Sequence, residues 1–147
     1  MKMFKKSLLT IATLALVSTG ASAAEKMEVR YKDKVWKTVV AVDSMSDSSY
    51  CKVTSARRKH ITANPSMVYI NTKNNGIVSY QIRLDSSPAQ PKQTASVLER
   101  DTGFIMIPST TYMGKNRMRI VGNTVKGKSI FEDIDLQSLT MATKACQ

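Results

Sequence analysis

From Val35 onward the chain is cut into short β-branched runs, each closed by turn residues before a helix could complete many turns. Val35–Val42 (VWKTVVAV) is β-branched and aromatic, the composition of a strand. A polar loop, Asp43–Ser49, separates it from Tyr50–Ser55, where Cys51 and Val53 share one face. Arg57 to Pro65 reads as a basic connection, and Met67–Asn71 as a short strand. Asn75-Gly76 then marks a hairpin into Ile77–Leu84, where Val78, Tyr80, Ile82 and Leu84 alternate with Ser79, Gln81 and Arg83. Alternation of that kind means one face buried and one wet. Asp85–Ser96, with two prolines, reads as a long surface loop. Val97–Arg100 and Phe104–Ile107 around Asp101-Thr102-Gly103 are predicted as a second hairpin, stopped by Pro108. Arg117–Val121 and Lys128–Ile134 around Lys126-Gly127 form a third. Only the end changes period: Leu136, Leu139, Ala142, Thr143 and Cys146 recur at helical spacing, with Asp135 placed as the cap. The expected fold is mainly β, an antiparallel β-sandwich or barrel-like single domain with a C-terminal α-helix. Hydrophobic residues at 42% suffice for one such core.

The first residues give an address. Met1–Lys6 carries three lysines and no acid, Ser7–Val17 is apolar, and Ala21-Ser22-Ala23 follows Gly20. A basic start, a short apolar run and a small-residue box describe a secretory signal peptide over residues 1–23, leaving one domain over 24–147. The run is too short to cross ~30 Å of hydrocarbon, so no transmembrane anchor is expected. The expected location is periplasmic or secreted, an oxidising compartment in which two cysteines favour a disulfide over free thiols. Cys51 and Cys146 allow one pairing, and their spacing is not the Cys-x-x-Cys of redox pairs.

Catalytic signatures are missing: no Gly-x-Ser-x-Gly, no His-Glu-x-x-His and no phosphate-binding glycine loop occurs. One histidine and two cysteines leave no ligand set for a structural metal, and no cofactor is expected. His60, in a basic stretch without an evident orienting acid, reads as an exposed loop residue. Asp133 and Asp135 share a strand face and read as a polar edge followed by a helix cap, with Glu132 pointing the other way. Ser49-Tyr50-Cys51-Lys52 matches Ser-x-x-Lys but enters a strand, where the two ends face apart. Trp36 reads as core.

Charge is the remaining signal. The chain carries 22 Lys and Arg against 11 Asp and Glu, a net +11; loss of the three lysines with the leader leaves +8. Two basic clusters stand out: Arg57, Arg58 and Lys59, and the hairpin residues Lys115, Arg117, Arg119, Lys126 and Lys128. A positive stripe on a β-ribbon can hold an anionic polymer or surface. Export removes genomic nucleic acid from the targets and leaves an anionic envelope or host-surface component, or another protein. The oligomeric state stays open.

The order of these pieces resembles the invasion-associated locus B family of exported bacterial proteins. The resemblance runs from Val35-Trp36 through Ser49-Tyr50-Cys51, and is clearest from Lys115-Asn-Arg-Met-Arg-Ile-Val-Gly-Asn-Thr through Phe131-Glu-Asp-Ile-Asp-Leu136 to Lys144-Ala145-Cys146. It implies a β-sandwich acting in contact with host cells, and it offers no catalytic residues to carry over. The expected function is therefore non-enzymatic binding, with a periplasmic inhibitor of a hydrolase such as lysozyme or a protease as the alternative. Lysozymes are usually basic, and a partner of the same sign slows that encounter.

Overall fold

Residues 26–43 and 46–147 are described by a computed structural model. The leader expected over residues 1–23 lies outside them. The described residues form ten strands and three helices in one chain order. These are β1 (Lys26–Lys32), β2 (Trp36–Val42), β3 (Ser49–Ser55), β4 (Ile61–Asn64), β5 (Met67–Asn71), β6 (Ser79–Leu84), β7 (Gln93–Thr94) and α1 (Val97–Thr102). There follow β8 (Phe104–Pro108), α2 (Ser109–Tyr112), β9 (Arg117–Asn123), β10 (Ser129–Asp135) and α3 (Leu136–Lys144). One sheet has the order β1-β2-β3-β4-β5-β8 and the other β10-β9-β6-β7. Every pairing in both is antiparallel.

The two sheets share one core. Trp36, Val53, Ile61 and Ile70 enter it from the first sheet, and Ile82, Met118, Ile120 and Ile134 from the second. The fold is thus the mainly β sandwich that the alternation implied. Helix α3 completes it. The Asp135 carboxylate accepts from the Gln137 and Ser138 amides, satisfying two orphan donors of the first turn. Leu136, Leu139 and Ala142 are buried, and the Thr38 hydroxyl on β2 donates to the Ala142 carbonyl at 2.7 Å. The Cys51–Cys146 disulfide then fastens the end of α3 to β3, with the two Cα atoms 5.5 Å apart.

Four expectations are corrected. Asn75-Gly76 does not close a hairpin. Strand β5 pairs with β4 and β8, and β6 belongs to the other sheet, so the segment is a crossover. Lys73, Asn74 and Gly76 all take positive φ there, which turns the chain out of its sheet and drops the fully buried Ile77 between the layers. Residues 97–102 are helix rather than strand. Ser96 and Glu99 form a reciprocal capping box, and Gly103 ends the helix in the left-handed region at φ 71. The Glu99 carboxylate is buried and also accepts from the Met106 amide at 3.0 Å, closing a backbone donor of the edge strand β8. The basic connection after Arg57 holds strand β4, in which Ile61 and Ala63 are buried and Thr62 and Asn64 half-buried. His60 does lie in the connection before β4, but it is half-buried rather than exposed and has an acid partner in Glu132.

Candidate anionic-ligand site

The hairpin cations fall into two ends and a middle whose side chains are already engaged. Strands β9 and β10 pair from Arg117↔Asp135 to Asn123↔Ser129. Arg117 and Arg119 do project from one face, but each is engaged. Arg117 makes a two-point ion pair with Asp133, its Nε donating to Oδ1 at 2.8 Å. Arg119 donates from Nη2 to the Asp85 carbonyl at 2.8 Å. The Arg117 hydrogen bond, with the charges of Arg119 and Arg58 adding to it, outweighs burial and holds the Asp133 carboxyl below the usual carboxylate range. Lys126 and Lys128 sit at the Thr124–Lys128 turn, and Lys115 precedes the other end of β9, a strand length of roughly 20 Å away. These five residues are not one stripe.

The Arg57–Lys59 cluster separates in three directions. Arg58 reaches across to the second sheet, where its Nη1 donates to Glu132 Oε2 at 2.8 Å and to the Asp133 carbonyl at 3.2 Å. His60 Nε2 lies 2.6 Å from the other Glu132 oxygen. Glu132 is buried, so this trio ties the β3–β4 connection to β10 through a carboxylate with both oxygens satisfied. Its geometry is that of a cross-sheet clamp. Arg57 is exposed beside Asp133 and Asp135 in a cleft of ≈ 140 Å³ floored by Trp36 and Ile134.

Lys59 joins cations that lie outside both basic clusters of the sequence. It lines an open hollow of ≈ 240 Å³ with Lys32, Lys37, Thr54, Ser55 and Ala56. Lys32 stands directly opposite Lys37 across β1 and β2, and Lys37 opposite Thr54 on β3. One row further along the same face, Lys52 lies opposite Val39. All four lysines are exposed, and among the described residues none has a carboxylate within ion-pair reach. Like charges placed directly across a sheet are destabilising. The wall of the hollow is almost entirely carbon, as expected where lysine stems cover a surface and keep their charged ends in water. The register follows from Asp33, which builds the β1–β2 turn by accepting from the Val35 and Trp36 amides at 2.6 and 2.5 Å. Although burial works against it, those amides and the Tyr31 hydroxyl hold the Asp33 carboxyl below its ordinary range.

Both lowered aspartates make stability pH-dependent with one sign. Each favours the folded state fully above the unfolded carboxyl pKa of about 4, and that contribution is lost as pH falls through the lower folded value. Urea midpoints taken from pH 6 downward should therefore fall steeply in acid, and less steeply for Asp133→Asn. Parallel curves for the two proteins would contradict the assignment.

Among the described residues no group of three or more His, Cys, Asp or Glu side chains could hold a metal ion, and no helix is long and apolar enough to cross a membrane. No protein-family model, curated protein or solved structure matches this chain.

Proposed function

We propose that the chain is an exported, non-enzymatic protein that binds an anionic amphiphile of the cell envelope or a host-cell surface through the Lys32, Lys37, Lys52 and Lys59 face. The observation carrying this reading is the uncompensated row Lys32–Lys37 at the rim of a carbon-walled hollow that Lys59 also lines. Ammonium groups over an apolar wall match a ligand with a charged head and an apolar body. The leader and the Cys51–Cys146 disulfide support export into an oxidising compartment. The resemblance to invasion-associated locus B proteins supports contact with host cells. Arg57 stands apart in the cleft beside Asp133 and Asp135, and Arg58 serves the fold.

Sedimentation with phosphatidylglycerol vesicles tests the reading, with phosphatidylcholine vesicles for comparison. Each basic residue near an anionic surface contributes about 1 kcal/mol, so Lys32→Glu, Lys37→Glu and Lys59→Glu together should weaken partitioning about 100-fold or more. Lys126→Glu with Lys128→Glu should weaken it far less. Raising salt toward ~0.15 M, where screening acts within about 8 Å, should release the wild-type protein. Equal losses from the two variants would reduce the effect to net charge, and equal binding to neutral vesicles would remove the electrostatic basis altogether.

A further inference from the structure

The outer face of the second sheet carries a different arrangement. Strand pairing sets Gln81, Val121 and Phe131 in one row across β6, β9 and β10, and Arg83, Arg119 and Asp133 in the next. These positions face away from the core, where polar residues are expected, yet Phe131 is 60% and Val121 45% exposed. Beside them the loop after β6 is held as a wall by three side chains of that same face. Gln81 Nε2 donates to the Gln90 carbonyl at 2.8 Å, Arg83 Nε to the Ser87 carbonyl at 2.9 Å, and Arg119 Nη2 to the Asp85 carbonyl at 2.8 Å. The result is a groove of ≈ 200 Å³ between Ala89 on the wall and Phe131 on the sheet. That is smaller than the roughly 300–1,000 Å³ of a drug-sized site, and holds one ring.

Its charge is specific. Arg83 and Arg119 stand directly opposite each other, and the carboxylate in their row, Asp133, is taken by Arg117. The Arg119 Nε–H is buried and has no acceptor among the described residues. Planar guanidinium donors match a carboxylate, and the face of an exposed aromatic ring attracts polarised C–H groups.

We propose that this groove binds an acidic pyranose unit of a glycan, its C–H face stacked on Phe131 and its carboxylate held by Arg83 and Arg119. The site lies on the opposite sheet from the lysine face and does not depend on it. Calorimetric titration of the mature protein with a galacturonate hexamer at physiological salt tests it, with the neutral maltohexaose as comparison. Phe131→Ala should weaken hexamer binding about tenfold, and Phe131→Trp should keep it. Arg83→Gln should weaken the galacturonate hexamer alone. The Lys32→Glu, Lys37→Glu, Lys59→Glu variant should bind the hexamer at near wild-type affinity while losing vesicles, which separates this site from the amphiphile reading. Unchanged binding by both Phe131→Ala and Arg83→Gln would overturn the proposal. So would equal affinity for the neutral hexamer, or full displacement by inorganic phosphate. Self-association abolished by Phe131→Ala would overturn it too, assigning the face to a second copy of the chain.

Discussion

Replacing Cys51 and Cys146 together by serine should lower the unfolding free energy by about 4 kcal/mol, close to the whole stability of a marginal domain. The bond joins residues 95 apart, so it removes much of the freedom of the unfolded chain. Its second effect is local. Helix α3 has nine residues, too few to persist alone in water, and it is held by three buried side chains, the Thr38 hydroxyl and the disulfide at its end. Urea unfolding should give the double variant and the reduced wild-type protein the same lowered midpoint. Amide exchange in α3 should accelerate before that of β3. A midpoint unchanged by reductant would mean that packing alone docks the helix. The double variant is the cleaner test, since a single replacement leaves a thiol free to pair between molecules.

Much of this architecture was legible because its signals are local. Strand β6 has period-two burial with Tyr80, Ile82 and Leu84 inward, and α3 has the capping aspartate and helical spacing that the sequence announces. The structure departs from the sequence pattern where a local signal has two outcomes. Asn75-Gly76 marks a sharp turn with Gly76 left-handed, but such a turn closes a hairpin only if the flanking strands share a sheet, and β5 pairs with β8 instead. Helix α1 is legible in the same local terms: Ser96-Val97-Leu98-Glu99 is a capping box, and Gly103 is its stop. Strand β4 is four residues long, two of them small or apolar at alternate places, too little pattern to stand out beside three cations.

Charge was legible in amount and not in arrangement. Counting Arg117 and Arg119 as a stripe required knowing that Asp133 and the Asp85 carbonyl do not meet them, which only tertiary structure decides. The lysine face was within reach. Asp33 three residues before Trp36 suggests a tight turn between two strands, and such a turn sets Lys32 near Lys37. Strand β1 hid it, because an edge strand exposed on both faces shows no clear apolar period.

Glu132→Ala should cost about 3 kcal/mol, the lower end for removing one member of a buried charged set, since the partners are partly exposed. The carboxylate is itself expensive to bury, and Arg58 and His60 offset that cost with hydrogen bonds at 2.8 and 2.6 Å. Alanine leaves Arg58 with only the Asp133 carbonyl at 3.2 Å and strips His60 Nε2 of its partner. Arg58→Ala alone should cost less, because His60 still serves one oxygen. The double variant should fall short of the sum, since the second loss removes a group already stranded by the first. The effect should also reach the lysine face. Lys59 lies between the two clamp residues in sequence, so releasing the β3–β4 connection frees it from the rim of the hollow. Vesicle partitioning of Glu132→Ala should therefore weaken several-fold under conditions where the protein remains folded. Unfolding midpoints within 0.5 kcal/mol of wild type for Glu132→Ala, about the range of inert surface changes, would show that the clamp does not hold the sheets together.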